Sequence, residues 1–223
     1  MKILAIETST ELCSAALWRD GSVDAREVTA GQRNSDLLLP MIDALLTELG
    51  VTVRDLDGIA FGAGPGAFTG VRIACGVAQG MAFGIDLPVV GIGTLQALAQ
   101  AAGAPRVVCC LDARMGEVYH AAYEMSGDDW REVHAPGLYK PPAVPPLPDG
   151  QWTACGSGFA AFRDALAVRY AGSLERVRDD LVPHAREIAV LAARQFARGE
   201  GVEAALAAPL YVRNKVALRV SER

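Results

Sequence analysis

The feature that most constrains this chain is a repeat. Ile3-Leu-Ala-Ile-Glu7 is an apolar run ending in a carboxylate, and half a chain later Arg106-Val-Val-Cys-Cys-Leu-Asp112 is another. After the first, Cys13 to Arg19 and Val23 to Glu27 read as strands joined by Asp20-Gly21, a dipeptide that favours two-residue hairpins. After the second, Ala113-Arg114-Met115-Gly116 leads into a strand from Glu117 to Tyr123, and Ser126-Gly-Asp-Asp129 turns it into another from Trp130 to Val133. The chain reads as two diverged copies of one β-β-β-α unit.

The first copy continues with strong periodicity. Ser35-Asp36 is the expected cap of a helix whose apolar positions, Leu37, Leu38, Met41, Ile42, Leu45, Leu46 and Leu49, repeat at helical spacing. Pro40 must fall in its first turns or bend it. Leu56 to Phe61 predicts a strand, Phe68 to Gly84 a helix, Pro88 to Ile92 a strand and Thr94 to Ala102 a helix. The second copy is less regular. Lys140 to Gly150 holds five prolines in eleven residues and is a stiff connector. A strand from Trp152 to Ala154 and helices near Phe159 to Tyr170 and His184 to Ala197 complete it. This order predicts an α/β fold of the actin-like (ribonuclease H-like) kind, with duplicated β-β-β-α-β-α lobes facing each other across a nucleotide cleft. The N-terminal lobe is expected at 1–104 and the smaller C-terminal lobe at 105–223, its last segment packing back on the first. Such a fold hosts many functions, so activity must be argued from sites.

Composition narrows the classes. The net charge is −5, which argues against a protein that binds nucleic acid alone. Cys13, Cys75, Cys109, Cys110 and Cys155 show no C-x-x-C spacing and read as buried thiols in a reducing cytoplasm. Cys109 and Cys110, adjacent in a strand, should face opposite ways. MKILAIETST lacks the apolar core of a signal peptide, and no run reaches the roughly 18 uncharged apolar residues of a membrane span. A soluble, cytoplasmic protein without membrane contact is expected.

The stretch GAGPGAFTGVR, Gly62 to Arg72, fails the Walker pattern for want of a Lys-Ser or Lys-Thr, and fails G-x-G-x-x-G because Ala67 replaces the third glycine. It remains a glycine-rich entry to a helix N-terminus, where free N–H groups favour an anion. An equally physical alternative is that Gly64 and Gly66 supply positive φ for a tight turn around Pro65. In the following helix, Ile73 to Ile85 holds no charged residue, Gly76, Gly80 and Gly84 form one stripe, and Ala74, Ala78 and Ala82 another. Each interior glycine costs about 1 kcal/mol against alanine. The stripe therefore predicts close approach of another backbone, either the preceding helix or a partner chain.

Glu7 and Asp112 stand at the strand ends where actin-like ATPases hold Mg²⁺, although such carboxylates also cap turns. Glu7, Thr8, Ser9, Gly64, Gly66, Thr69 and Asp112 are thus the candidates for a phosphate or nucleotide cleft. His120, His134 and His184 are scattered, which disfavours a zinc or iron site built on a histidine pair. No G-x-S-x-G elbow supports a serine hydrolase. The readings left open are a binding subunit, a lone ATPase or phosphotransferase, and a peptidase.

ILAIETST, GAGPGAFTGVRIACGVAQGMAF, LDARMGEVY and PLYVRNKVA together resemble the TsaB (YeaZ) family over Met1 to about Ala217. The resemblance implies a non-catalytic partner of TsaD, the paralogue that carries the metal and transfers threonylcarbamoyl to N6 of adenosine 37 in tRNAs reading codons that start with A. It further implies TsaE, an ATPase, as a third subunit, self-association as a homodimer through the same surface, and tRNA contact only within the complex. The paralogue's metal histidines lie in an H-x-x-x-H, and the matching positions here are Thr94 and Leu98, so no catalytic or metal-binding residue is expected. No intrinsic cofactor is expected beyond weak nucleotide binding. Where relatives carry Asp-Thr at the first strand end this chain has Glu7-Thr8, whose longer carboxylate would crowd a Mg²⁺–phosphate group. The family's contact surface lies on the first two helices, which makes Leu38, Ile42, Leu46, Ile73, Gly76, Val77, Gly80, Met81 and Gly84 the partner-binding candidates. The basic residues Arg213, Lys215 and Arg219 are either a tRNA contact or a solvated terminus.

Overall fold

A computed structural model of the chain describes residues 1–31 and 33–212; Arg213, Lys215 and Arg219 lie outside the described residues. The first half runs β1 (Lys2–Glu7), β2 (Leu12–Arg19), β3 (Ser22–Thr29), α1 (Asn34–Glu48), β4 (Gly58–Gly64), α2 (Phe68–Ile85), β5 (Val89–Gly93) and α3 (Thr94–Ala102). The second runs β6 (Arg106–Asp112), β7 (Val118–Ser126), β8 (Asp129–Tyr139), β9 (Trp152–Cys155), α4 (Ser157–Ala161), α5 (Arg163–Arg169), β10 (Leu174–Arg178) and α6 (Ala185–Ala197).

The duplication is visible in the sheets. One has the order β3-β2-β1-β4-β5 and the other β8-β7-β6-β9-β10, so corresponding strands hold corresponding places. In each, two antiparallel pairings are followed by two parallel ones. Asp20 and Gly21 take positive φ in a hairpin that pairs Arg19 with Ser22, as their composition predicts.

Alternation along the strands builds three cores. On β1, Ile3 and Ala5 face the layer between the sheets, while Leu4 and Ile6 face α1 and α2. On β6, Cys109 joins the central layer and Cys110 the outer core of the second lobe, so the adjacent thiols do point opposite ways. The central layer is made of α3 and α6, and here the copies exchange: α3 packs on β6, and α6 packs across β1 and β2 of the other lobe. The last helix of the second lobe is thus part of the first lobe's core. Its entry is fixed by Ala185, whose N–H donates to Ser14 Oγ at 2.9 Å, and by His184, which caps the helix by accepting the Arg186 N–H at 3.0 Å.

Several local expectations need correction. Ser35 and Asp36 do not cap α1; the helix starts at Asn34, whose amide donates to the Thr10 carbonyl at 3.3 Å and ties the helix to the β1–β2 turn. Pro40 sits in the second turn on the exposed side, where its missing N–H breaks only one helix bond. The helix expected from Phe159 to Tyr170 is divided at Phe162 into α4 and α5. Strand β8 runs on past Pro136 to Tyr139, which an edge strand tolerates. Helix α2 is 18 residues long and, by length and composition alone, apolar enough to cross a membrane. It carries Arg72, and its alanine stripe, Ala74, Ala78 and Ala82, is buried against the sheet.

Candidate functional site

The β4–α2 loop lies against the end of β1, and its glycines are explained by that contact. Gly64 takes φ +100°, the positive value expected of it. Gly66 does not; a Cβ there would lie 2.6 Å from the carbonyl oxygen of Ser9. At Gly70 a Cβ would stand 1.9 Å from the Thr8 carbonyl oxygen, and at Gly62 1.9 Å from Glu7 Oε2. Two bonds close the joint: the Ala67 N–H donates to the Ser9 carbonyl at 2.7 Å, and Thr8 Oγ1 donates to the Gly70 carbonyl at 2.7 Å.

That packing removes three of the seven residues expected in the cleft. Glu7 and Thr8 are fully buried and, like Gly64, do not line it. Glu7 turns back to accept the Ser9 N–H, and burial pushes its pKa up against the pull of the Ser9 hydrogen bonds. Its carboxyl lies against Gly62 of β4, outside the cleft lining, so it does not crowd a group bound there. Ser9, Gly66, Thr69 and Asp112 do line the cleft, which has a volume of about 1230 Å³. Helix α2 opens onto it without a side-chain cap, so the dipole and first N–H groups remain suited to an anion.

On the facing lobe, Asp112 is already engaged. Its Oδ1 accepts the Arg114 N–H at 2.8 Å and its Oδ2 accepts Arg114 Nη1 at 3.2 Å, while its own N–H donates to Ser157 Oγ at 3.1 Å. Arg114 Nη2 continues across the mouth to Glu11 Oε1 at 3.5 Å. Of the two strand-end carboxylates, one is buried and the other is paired with an arginine.

Thr94 has a structural occupation. Its hydroxyl, fully buried, accepts the Gly64 N–H at 3.0 Å, and Leu98 is fully buried in the central core. The two positions matching a metal-ligating pair thus fasten the loop and fill the core.

Across the chain, 40% of residues are identical to those of the Escherichia coli protein named tRNA threonylcarbamoyladenosine biosynthesis protein TsaB, covering 97% of this chain and 96% of that one. The chain belongs to the TsaB family. The Haemophilus influenzae TsaB is 36% identical over 97% of this chain and 95% of its own. YeaZ from Pseudomonas aeruginosa, a solved structure, superposes with a TM-score of 0.85 at 39% identity, covering 94% of this chain and 99% of that one. The family model described as TsaD, tRNA N6-adenosine threonylcarbamoyltransferase, matches residues 28–219. The α/β duplicated fold read from the repeat agrees with these relatives.

The partner-binding candidates named from the sequence lie on α1 and α2, and the structure sorts them by burial. Leu38, Ile42 and Leu46 are 0%, 3% and 4% exposed, packed beneath α1 against their own sheet, and so cannot meet a partner. The periodicity found the apolar face, but that face is the internal one. On α1, Leu39 is 52% exposed, and Leu37 and Met41 are half-buried at the edge of the core. On α2, Ile73, Val77 and Met81 are half-buried, and Gly76, Gly80 and Gly84 are exposed. A Cβ built on any of those three glycines would meet nothing within 4 Å. Helix α1 does not cover the stripe.

Proposed function

We propose that this chain is the non-catalytic subunit of a tRNA-modifying assembly in the cytoplasm, docking through α1 and α2 onto a TsaD-type transferase and working with a TsaE-type ATPase to form threonylcarbamoyladenosine. The observation that carries the reading is the open glycine stripe. Three glycines in one helix give up roughly 3 kcal/mol of helix stability against alanine, and no neighbour within the described residues uses the space they leave. A second backbone laid along the stripe does. The family's names supply the pathway: the curated relatives are called threonylcarbamoyladenosine biosynthesis proteins.

Gly80→Leu is a clean probe, because its side chain enters open space and leaves the fold intact. Mixed with the transferase and measured by light scattering, the variant should remain monomeric, and the reconstituted assembly should lose modification. A folded Gly80→Leu chain that supports normal modification would falsify the docking surface. In the same reading a nucleotide enters the cleft with its phosphates at the α2 N-terminus and is bound without turnover, since both strand-end carboxylates are otherwise engaged. Titration calorimetry with ADP that gives no heat at millimolar concentration would dismiss that part.

A further inference from the structure

Arg72 differs from the surface arginines that are paired with carboxylates. Arg19, Arg106, Arg131 and Arg198 pair with carboxylates, whereas Arg72 is held by rings. Its guanidinium carbon lies 3.3 Å from the ring centroid of Phe68 and 4.9 Å from that of Tyr211. Among the described residues no carboxylate pairs with it. Phe68 and Tyr211 remain 46% and 51% exposed at the lip of the cleft. The column is strapped in place: the Leu210 N–H donates to the Ala63 carbonyl at 2.7 Å, and Gln79 Nε2 donates to the Ala207 carbonyl at 2.9 Å.

We propose that Phe68, Arg72 and Tyr211 form a stacking platform for unpaired RNA bases, a contact that rests on the tRNA-modification reading above. Exposed aromatic faces take any base by stacking, and RNA loops are recognised through unstacked bases laid on aromatic rings and guanidinium planes. Phe68 is the first residue of α2, whose uncapped N-terminus faces the same cleft. Arg72 lies one turn before Gly76, so the platform continues the glycine stripe at its N-terminal end, and RNA held there lies beside the docked transferase.

The test uses the full chain with its transferase partner and a fluorescent anticodon stem–loop RNA. Phe68→Ala and Tyr211→Ala should each weaken RNA binding about tenfold, while Phe68→Tyr and Tyr211→Phe, which keep the rings, bind as the wild type does. Arg72→Ala should reduce the salt dependence by about one released counterion. Heterodimer mass by light scattering should be unchanged in all of them. Alanine variants that bind RNA with wild-type affinity overturn the platform, and so does a loss of heterodimer, which would make the column part of the protein interface. The two readings fail separately: a wild-type assembly that binds the stem–loop through the rings but does not modify tRNA retires the modification reading alone.

Discussion

The two lobes share one topology and treat the end of their first strand in opposite ways. In the N-terminal lobe the strand ends in Glu7, fully buried, with Gly62, Gly66 and Gly70 pressed onto the turn that follows it. In the C-terminal lobe it ends in Asp112, which faces the cleft and is paired with Arg114. The corresponding helices differ too: α2 is 18 residues long, whereas its counterpart is split into α4 and α5, and proline-rich chain stands where α1 would be. Duplication thus preserved the sheets, which each lobe needs for its core, and released the outer layers to diverge. The long, open-faced α2 belongs to the lobe whose strand-end carboxylate is buried, and its glycine stripe lies on that lobe's outside.

The glycine joints offer the largest test of this contrast. A Cβ at Gly70 would stand 1.9 Å from a backbone oxygen, so the strand turn and the helix must separate. At Gly158, in the first turn of α4, the nearest atom would be Cys110 Cβ at 2.8 Å, with the Cys110 carbonyl carbon at 2.9 Å. Gly70→Ala should destabilise by about 3 kcal/mol or more, and Gly158→Ala by about 1–2 kcal/mol. Urea unfolding of both variants reads the difference; equal losses would mean that the two joints are equally tight and that the lobes do not differ at their strand ends.

The same contrast explains what the sequence disclosed. The N-terminal elements were legible because each has one period and one covered face, as in α1 and β1. Strand β10, Leu174–Arg178, was missed because its LERVR is a sheet edge with little buried, so neither alternation nor an apolar run marks it. Periodicity in α1 located Leu38, Ile42 and Leu46 but could not tell an internal face from a docking face, since both are apolar. Burial of Glu7 was hidden for a related reason. A carboxylate at a strand end looks the same in sequence whether it turns into a cleft or back under a loop, and only the stacking of Gly62 upon it decides.

Acid should separate the lobes next. His120, fully buried in the C-terminal lobe, bonds Tyr170 Oη through Nε2 at 2.9 Å, and its pKa is pushed down to about 3 by burial and then by His134 and Arg169. A histidine with a lowered folded pKa contributes stability above the unfolded value of 6.5 and loses it as pH falls toward 3. By pH 5 the loss from this group is about 2 kcal/mol. Glu7 has the reverse sign. Its raised folded pKa means that the stability it contributes is full below pH 4.5 and is lost as pH rises through the folded value. Comparing urea midpoints at pH 7 and pH 5, His120→Asn should flatten the acid loss, while Glu7→Gln should raise stability at pH 7. Acid sensitivity that survives His120→Asn unchanged would remove the histidine from the account.

The smallest effect is expected where the two lobes visibly touch across the cleft. Arg114 holds Asp112 in its own lobe and reaches Glu11 in the other, and Arg114, Met115 and Gly116 all take positive φ to aim the turn. This has the look of a latch. Yet the Arg114 and Glu11 side chains are 75% and 74% exposed, and a pair so wet is worth between nothing and about 1 kcal/mol. The lobes are instead joined by exchange of α3 and α6, whose Leu95, Leu98, Ile188 and Ala192 are fully buried between the sheets. Glu11→Gln should therefore change the unfolding midpoint by less than about 0.5 kcal/mol, whereas Leu98→Ala should cost about 2–5 kcal/mol. If Glu11→Gln approached Leu98→Ala in effect, the lobes would be held at the cleft mouth and not through the shared helical layer. The expected order, with the core far ahead of the latch, leaves the cleft mouth free to open without loosening the body of the protein.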